Sequence, residues 1–166
     1  MQIEIIVEGE GLLDIEAIRL PSGANGKELI AAVAKRGGFP ADDAFLFLEG
    51  ADEPLDASLF VVDERTSRAI HHVHRARQVE VTVSYKDLSK AKFFRPGARV
   101  QDVLDWAVGS HGFNIDPAIA PEMELALNGQ TTALPKSAHI GRFVHHPHDC
   151  LGLDLIRGVV PNGGSR

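Results

Sequence analysis

One pattern of residues occurs twice in this chain of 166 residues, and the two copies lie 74 to 79 residues apart. The matched segments are Ile3-Glu4-Ile5-Ile6-Val7 with Val79-Glu80-Val81-Thr82-Val83, Gly23-Ala24 with Gly97-Ala98, and residues 45–50 with residues 124–129. A solenoid repeat is a single supersecondary element that cannot bury its apolar face alone. A repeated unit of this length holds several elements, so the pattern indicates a duplicated domain.

The first copy begins with the signals of a β-hairpin. Residues 3–7 are rich in β-branched side chains, which favour strands. Residues 13–20 alternate apolar and polar side chains, with Leu13, Ile15 and Ala17 on one face. The pattern therefore predicts a second strand over residues 13–20.

A helix and two further strands follow in the first copy. Asn25 and Glu28 have the spacing of a capping box, which predicts a helix start at that point. The apolar stripe of the helix is Leu29, Ile30 and Val33, and Gly37-Gly38 ends it. Residues 45–48 predict a strand, residues 59–62 a short apolar segment, and residues 69–75 the last strand.

The second copy repeats this order. Its predicted hairpin covers residues 79–84 and 90–94, and its middle strand covers residues 125–127. The helix carries the stripe Val100, Val103, Leu104, Ala107 and Val108, with Trp106 expected at its edge and partly exposed. In the last strand Leu151, Leu153 and Leu155 alternate with Gly152, Asp154 and Ile156. Each copy thus predicts one helix packed on a mixed sheet.

Composition limits the classes of function. No stretch is apolar for 18 residues, so we expect no membrane span. The N-terminus begins a strand instead of a basic signal peptide, and one cysteine excludes an internal disulfide framework, which together predict a cytoplasmic protein. Residues 1–77 carry 14 acidic and 8 basic side chains. This excess of negative charge argues against nucleic-acid binding.

Two such units, followed by a chain end that carries Gly163-Gly164, resemble ubiquitin. In tandem they are similar to the vertebrate interferon-induced tandem ubiquitin-like modifier and, more closely, to bacterial tandem ubiquitin-like proteins. The resemblance covers nearly the whole chain. It implies an α+β fold with two ubiquitin-like β-grasp domains, at residues 1–76 and 77–158, and a flexible tail at residues 159–166. The linker Ala76-Arg77-Gln78 is too short to act as a free tether.

The resemblance also implies partners and a site. The bacterial relatives are encoded with an activating enzyme, a conjugating enzyme and a JAB-type metalloprotease, and are linked to antiphage defence. By this resemblance a peptidase cuts after Gly164, and the new carboxylate is adenylated, passed to an enzyme cysteine and joined to a target protein. Gly163 lacks a Cβ, which lets an enzyme channel close around the chain. The segment Arg157-Gly158 resembles the basic segment before the glycines of ubiquitin, although residues 159–162 intervene here. Both residues are therefore expected partner contacts.

Partners recognise ubiquitin through an apolar patch on the outer face of its sheet. The positions that correspond on the last strand here are Gly152 and Asp154, which do not form an apolar pair. We therefore expect that this patch is absent or altered, and that receptors for ubiquitin itself bind weakly.

Histidines and a cysteine raise the possibility of a metal site or a nucleophile. They occur as His71, His72 and His74 and as His145, His146, His148 and Cys150. The second group could supply zinc ligands, but it has no Cys-x-x-Cys or His-Glu-x-x-His spacing. We expect histidines in loops and at strand ends, a buried cysteine at a strand start, and no metal or cofactor.

Two other functions remain open at this point. The chain could be a β-grasp adaptor that is never conjugated, with an inert tail. It could also be a sulfur carrier, whose Gly-Gly end forms a thiocarboxylate, but such carriers are usually single units that end at the second glycine. No constellation of side chains favours an enzyme, so the protein is predicted to be a substrate of enzymes instead.

Overall fold

The computed structural model describes residues 1–158, which form two compact units. The first unit comprises Met1–Val79 with Phe94–Gly97 and Ile140–Asp149, and the second comprises Glu80–Phe93, Ala98–His139 and residues 150–158. Each unit has one α-helix and a mixed sheet of four strands. The prediction of an α+β protein with two tandem ubiquitin-like β-grasp domains is confirmed. The domain boundaries given above stay a prediction.

The first sheet has its first and last strands side by side in the centre. The elements are β1 (Gln2–Gly9), β2 (Glu16–Pro21), α1 (Gly26–Gly37), β3 (Phe45–Leu48) and β4 (Ile70–His74), with a short 3₁₀ helix at Thr66–Arg68. The strand order is β2-β1-β4-β3, with β1 and β4 parallel and the outer pairs antiparallel. A parallel pair needs a long crossover connection, which here contains the helix.

Helix α1 begins and ends where the sequence predicts. The Asn25 side chain accepts a hydrogen bond from the Glu28 main-chain N–H at 3.0 Å, and the Glu28 carboxylate accepts one from the Asn25 N–H at 2.8 Å. Gly38 ends the helix in the left-handed conformation, with φ of 75°. Leu29 and Val33 are fully buried against the sheet. Each such side chain contributes about 1.5–3 kcal/mol by leaving water.

The second strand is shorter than predicted. Leu13 and Ile15 are 71% and 52% exposed and precede β2, so the prediction of a strand over residues 13–20 with these side chains on its apolar face is wrong. The core-facing residue is Ile18, which pairs with Ile5. The reason lies in the turn, where Gly11 has φ of +77° and approaches the Gly37 main chain closely. The chain leaves β1 in a loop instead of a tight hairpin.

The second unit has the same topology. Its elements are β5 (Val79–Tyr85), β6 (Leu88–Phe94), α2 (Val100–Val108), a 3₁₀ helix (Ala120–Glu122), β7 (Met123–Leu127) and β8 (Cys150–Arg157). The order is β6-β5-β8-β7, and β8 runs parallel to β5 and antiparallel to β7. The predicted apolar stripe of α2 is buried except for Val108, which is half-buried, as is Trp106. The predicted partial exposure of Trp106 is confirmed.

Both faces of the first sheet are covered. Phe47 and His72 pair across β3 and β4 on the face opposite the helix, and each is only 2% exposed. Two segments of this unit, Phe94–Gly97 and Ile140–Asp149, lie on that face, where Gly97 contacts the His72 ring and Gly141 contacts the His74 ring. A Cβ on Gly141 would stand 2.7 Å from the His74 ring, so only glycine permits this approach.

Candidate functional site at the end of the last strand

The end of β8 is held by an alternating pattern of burial. Leu151, Leu153 and Leu155 are at most 6% exposed and face the core of the second unit, as predicted. β8 is a central strand, so β5 and β7 both hydrogen-bond to it. Residues 157 and 158 therefore lie at the end of a central strand, where the pairing of β8 with both neighbours fixes their position.

Glu122 holds both of these residues. The Gly158 N–H donates a hydrogen bond of 2.7 Å to the Glu122 main-chain oxygen, and the Arg157 guanidinium pairs with the Glu122 carboxylate. The Arg157 side chain is still 61% exposed, so one side of the cation faces solvent. A Cβ on Gly158 would lie 2.9 Å from the Glu124 carboxylate. Glycine thus allows the chain to pass close to the Glu124 carboxylate and to the Glu122 main chain.

The predicted conjugation residues follow this point. Gly163 and Gly164 lie outside the described residues, as does the whole predicted tail, residues 159–166. Gly164 is six residues beyond Gly158 in the sequence. Six residues can span at most about 20 Å, from the length of an extended chain.

The outer face of the second sheet is polar at the two positions of interest. The Asp154 carboxylate accepts a hydrogen bond of 2.9 Å from the Gly129 N–H, and the Asn128 side chain lies directly over Gly152. These two positions therefore present an amide and a carboxylate instead of apolar side chains.

The first histidine cluster is buried within the strand predicted over residues 69–75, so the expectation of loop positions is wrong for these three side chains. His71, His72 and His74 belong to the central strand β4 and are at most 2% exposed. His74 Nδ1 accepts a hydrogen bond from the Ala76 N–H at 2.8 Å, so its proton is on Nε2, which lies 3.0 Å from the Gly141 oxygen. Burial lowers the pKa of His74, and the Gly141 carbonyl and the Glu10 carboxylate only partly oppose that effect.

In the part of the chain that the structure describes, no three His, Cys, Asp or Glu side chains converge in a group that could hold a metal ion. His146 Nδ1 lies 3.2 Å from an Asp149 oxygen. Cys150 is exposed, so the prediction of a buried cysteine is wrong. Strand alternation explains the error, because Cys150 shares the outer face of β8 with Gly152 and Asp154.

A further ion pair, which the sequence did not reveal, joins the ends of β1 and β4. The Glu10 carboxylate, only 8% exposed as a residue, accepts hydrogen bonds from the Arg75 main-chain N–H at 3.1 Å and from its Nε at 2.9 and 3.0 Å. Burial alone would raise the pKa of Glu10, but the hydrogen bonds from Arg75 outweigh it and lower the pKa. The turn residues gave no sequence signal for this pairing.

Residues 80–158 match a protein-family model described as BilA ubiquitin-like domain 2. The second unit is a ubiquitin-like domain. Among solved structures, the chain is similar to a ubiquitin of Caldiarchaeum subterraneum at 15% identity, which covers 51% of this chain and 99% of that one with a TM-score of 0.38. A chain of a pParkin–pUb–UbcH7 complex is also 15% identical, covers 48% of this chain and 25% of that chain, and has a TM-score of 0.35. No curated protein matches the sequence.

The ubiquitin-like domain includes all of β8 and the Glu122 contacts, so the candidate site lies at the C-terminal end of the matched region. Across residues 1–158, neither α-helix has the length and apolar character to cross a membrane.

Proposed function

We propose that this protein is a ubiquitin-like modifier of a bacterial conjugation system linked to antiphage defence. The observation that carries the proposal is the position of Arg157 and Gly158, at the end of a central strand in a unit that matches a BilA ubiquitin-like domain. From there a segment with Gly163-Gly164 can reach into an enzyme while the folded unit stays outside. In this role the protein is a substrate of enzymes, in the cytoplasm.

The proposed chemistry has four steps. A JAB-type metalloprotease adds water across the peptide bond after Gly164 and releases Ser165-Arg166. The Gly164 carboxylate then attacks the α-phosphate of ATP, releases pyrophosphate and becomes an acyl-adenylate. A cysteine thiolate of the activating enzyme displaces AMP, and the thioester is exchanged onto the conjugating enzyme. A lysine amine of the target displaces that thiolate and forms the isopeptide bond.

Intact mass measures each step. Incubation with the protease is expected to remove Ser165-Arg166, and addition of the activating and conjugating enzymes with ATP is expected to produce thioester-linked and target-linked species. Deletion of Gly164 should abolish the adducts. Gly23→Ala is the matched glycine control, because it lies outside the cleaved and joined residues and has open space around its missing Cβ. An unchanged mass with enzymes that process another modifier would favour the adaptor function.

We also propose that Arg157 contacts the activating enzyme directly. The exposed side of its guanidinium supports this proposal, whereas its pairing with Glu122 offers a competing explanation in which Arg157 only positions the chain. Arg157→Glu is expected to raise the KM of adenylation several-fold, and Glu122→Gln to leave it nearly unchanged. The charge swap, Arg157→Glu combined with Glu122→Arg, should keep the raised KM. Recovery in the charge swap would show that Arg157 acts through Glu122 and would contradict the contact.

A further inference from the structure

A cleft of about 530 Å³ opens on the first unit, away from the site at the end of β8. It lies where β3 ends at Leu48 and β4 begins, under the segment that leads from Leu59 to Thr66. Ligand sites in proteins commonly have volumes of about 300–1,000 Å³ and mostly apolar walls with a few polar groups. The size of this cleft is suited to one large side chain and its neighbours.

The walls of the cleft expose apolar side chains. Leu59 is 77% exposed, Val61 49% and Leu48 39%. The segment that carries them is held by main-chain hydrogen bonds, from Phe60 N–H to the Asp56 oxygen at 3.1 Å and from Val62 N–H to the Ala24 oxygen at 2.8 Å. The exposed apolar side chains are therefore carried by a segment that hydrogen bonds hold in place. A contiguous exposed apolar patch of this kind marks an interaction site.

Two polar features of the cleft would orient a bound ligand. His71 lines it, is 2% exposed and packs edge-on against Phe60 at 5.1 Å, and its Nδ1 has no hydrogen-bond partner among residues 1–158. At the rim, the Arg65 side chain is 90% exposed and reaches Asp63 only at 3.6 Å. The exposed Arg68 follows in the adjacent 3₁₀ helix. These cations stand out in a half of the chain where acidic side chains outnumber basic ones by 14 to 8.

We propose that this cleft binds a segment of a partner protein in which a tyrosine is flanked by carboxylates. The aromatic ring fits between Leu59, Val61 and Leu48, where it covers apolar surface that is otherwise in water. Its hydroxyl can donate or accept, so it satisfies His71 Nδ1 in either tautomer of the imidazole. The neighbouring carboxylates pair with the Arg65 guanidinium, which meets Asp63 only at 3.6 Å and is otherwise in solvent.

The test uses the full chain, labelled with ¹⁵N, and the peptide acetyl-Glu-Asp-Tyr-Asp-Glu-amide. Saturable shifts are expected at the amides of Leu48, Leu59, Val61 and Ala69. Replacement of the tyrosine by phenylalanine should weaken binding about fivefold, the effect of one neutral hydrogen bond. A peptide with lysine in place of the acids should not bind.

Variants of exposed side chains test the walls without disturbing the core. Leu59→Ser and Arg65→Glu should each weaken binding at least about tenfold, since a buried apolar anchor or a charge pair is lost. Leu88→Ser, at a leucine 62% exposed in the second unit, is the matched control and should bind normally. Equal binding by Leu59→Ser, or shifts at other amides, would overturn the proposal. So would saturation by p-cresol when the peptide does not bind, which would indicate a small-molecule site.

Discussion

His74 donates a hydrogen bond from Nε2 to the main-chain oxygen of Gly141, 3.0 Å away, inside the first unit. The same ring accepts from the Ala76 N–H, so both ring nitrogens are used only while the imidazole is neutral. Glu10, Arg75 and Asp149 are the charged groups around it. Protonation would place a second N–H against the Ala76 N–H, and the first unit should therefore lose stability in acid.

The pH dependence of unfolding follows from the sign of the pKa shifts. Burial lowers the pKa of His71 and His74, and for His74 the hydrogen bond to the Gly141 carbonyl partly opposes that effect. Below their ordinary pKa of about 6.5 the unfolded chain binds more protons than the folded one. Stability is therefore full above about pH 6.5 and falls as pH decreases, by at most about 1.4 kcal/mol per pH unit for each histidine. Urea unfolding at several pH values measures this slope.

Two variants test which histidine causes the pH dependence of the unfolding free energy. His74→Leu should reduce it, because the unfolded chain then has one proton fewer to gain. His111→Gln replaces an exposed histidine and should leave the slope unchanged. An equal slope in His74→Leu would show that other groups cause the acid sensitivity. The lowered pKa of Glu10 acts separately, because its contribution is lost only as pH falls below about 4.5.

The Glu10–Arg75 pair predicts a second effect on stability. Glu10→Gln removes a nearly buried charge that accepts four hydrogen bonds from Arg75. Loss of a hydrogen bond to a charged group costs about 1.5–3 kcal/mol, so we expect a decrease of about 2 kcal/mol in unfolding free energy. The exposed pair of Arg77 and Glu53 is the matched control. Glu53→Gln should change stability by less than about 0.5 kcal/mol, and a similar cost at both sites would contradict the prediction.

Two glycines with positive φ should respond differently to alanine. Gly23, with φ of +90°, has open space around its missing Cβ, so Gly23→Ala costs only the backbone strain of about 1 kcal/mol. Gly11 has φ of +77°, and a Cβ there would stand 2.2 Å from the Gly37 oxygen. Gly11→Ala must displace α1 or the turn and should cost at least about 2–3 kcal/mol. Thermal unfolding of both proteins tests the order.

The cap of α1 provides a further stability test. Asn25→Ala removes the acceptor for the Glu28 N–H and should lower the free energy of unfolding by about 1 kcal/mol. Asn25→Asp keeps an acceptor at the same place and should cost little. If both substitutions cost the same, the capping bond does not stabilise the helix.

Local signals predicted most of the fold. The cap at Asn25, the stop at Gly38 and the alternation of Leu151, Leu153 and Leu155 each depend on residues near one another in sequence, so short patterns revealed them. The duplication then supplied the topology, because each copy supported the interpretation of the other. The turn after β1 was missed because it depends on the approach of Gly11 to Gly37, which no short pattern encodes.

The covered outer face of the first sheet shows what sequence reasoning could not reach. His74 and Gly141 are 67 residues apart in the chain, and only tertiary structure brings them together. One signal was available, since Phe45-Leu46-Phe47-Leu48 is apolar without alternation, a pattern typical of a strand buried on both faces. The strand alternation around Cys150 likewise predicts its exposure. The pairing of Arg157 with Glu122 had no such signal.

The parallel pairing of β5 and β8 has a mechanical consequence. β5 begins the second sheet, β8 ends it, and the two strands are neighbours that point the same way. Tension between the start of β5 and the chain beyond residue 158 therefore pulls the two strands along each other, so their hydrogen bonds share the load and must break together. The second unit should therefore resist unfolding when a molecule attached at this end of the chain is pulled.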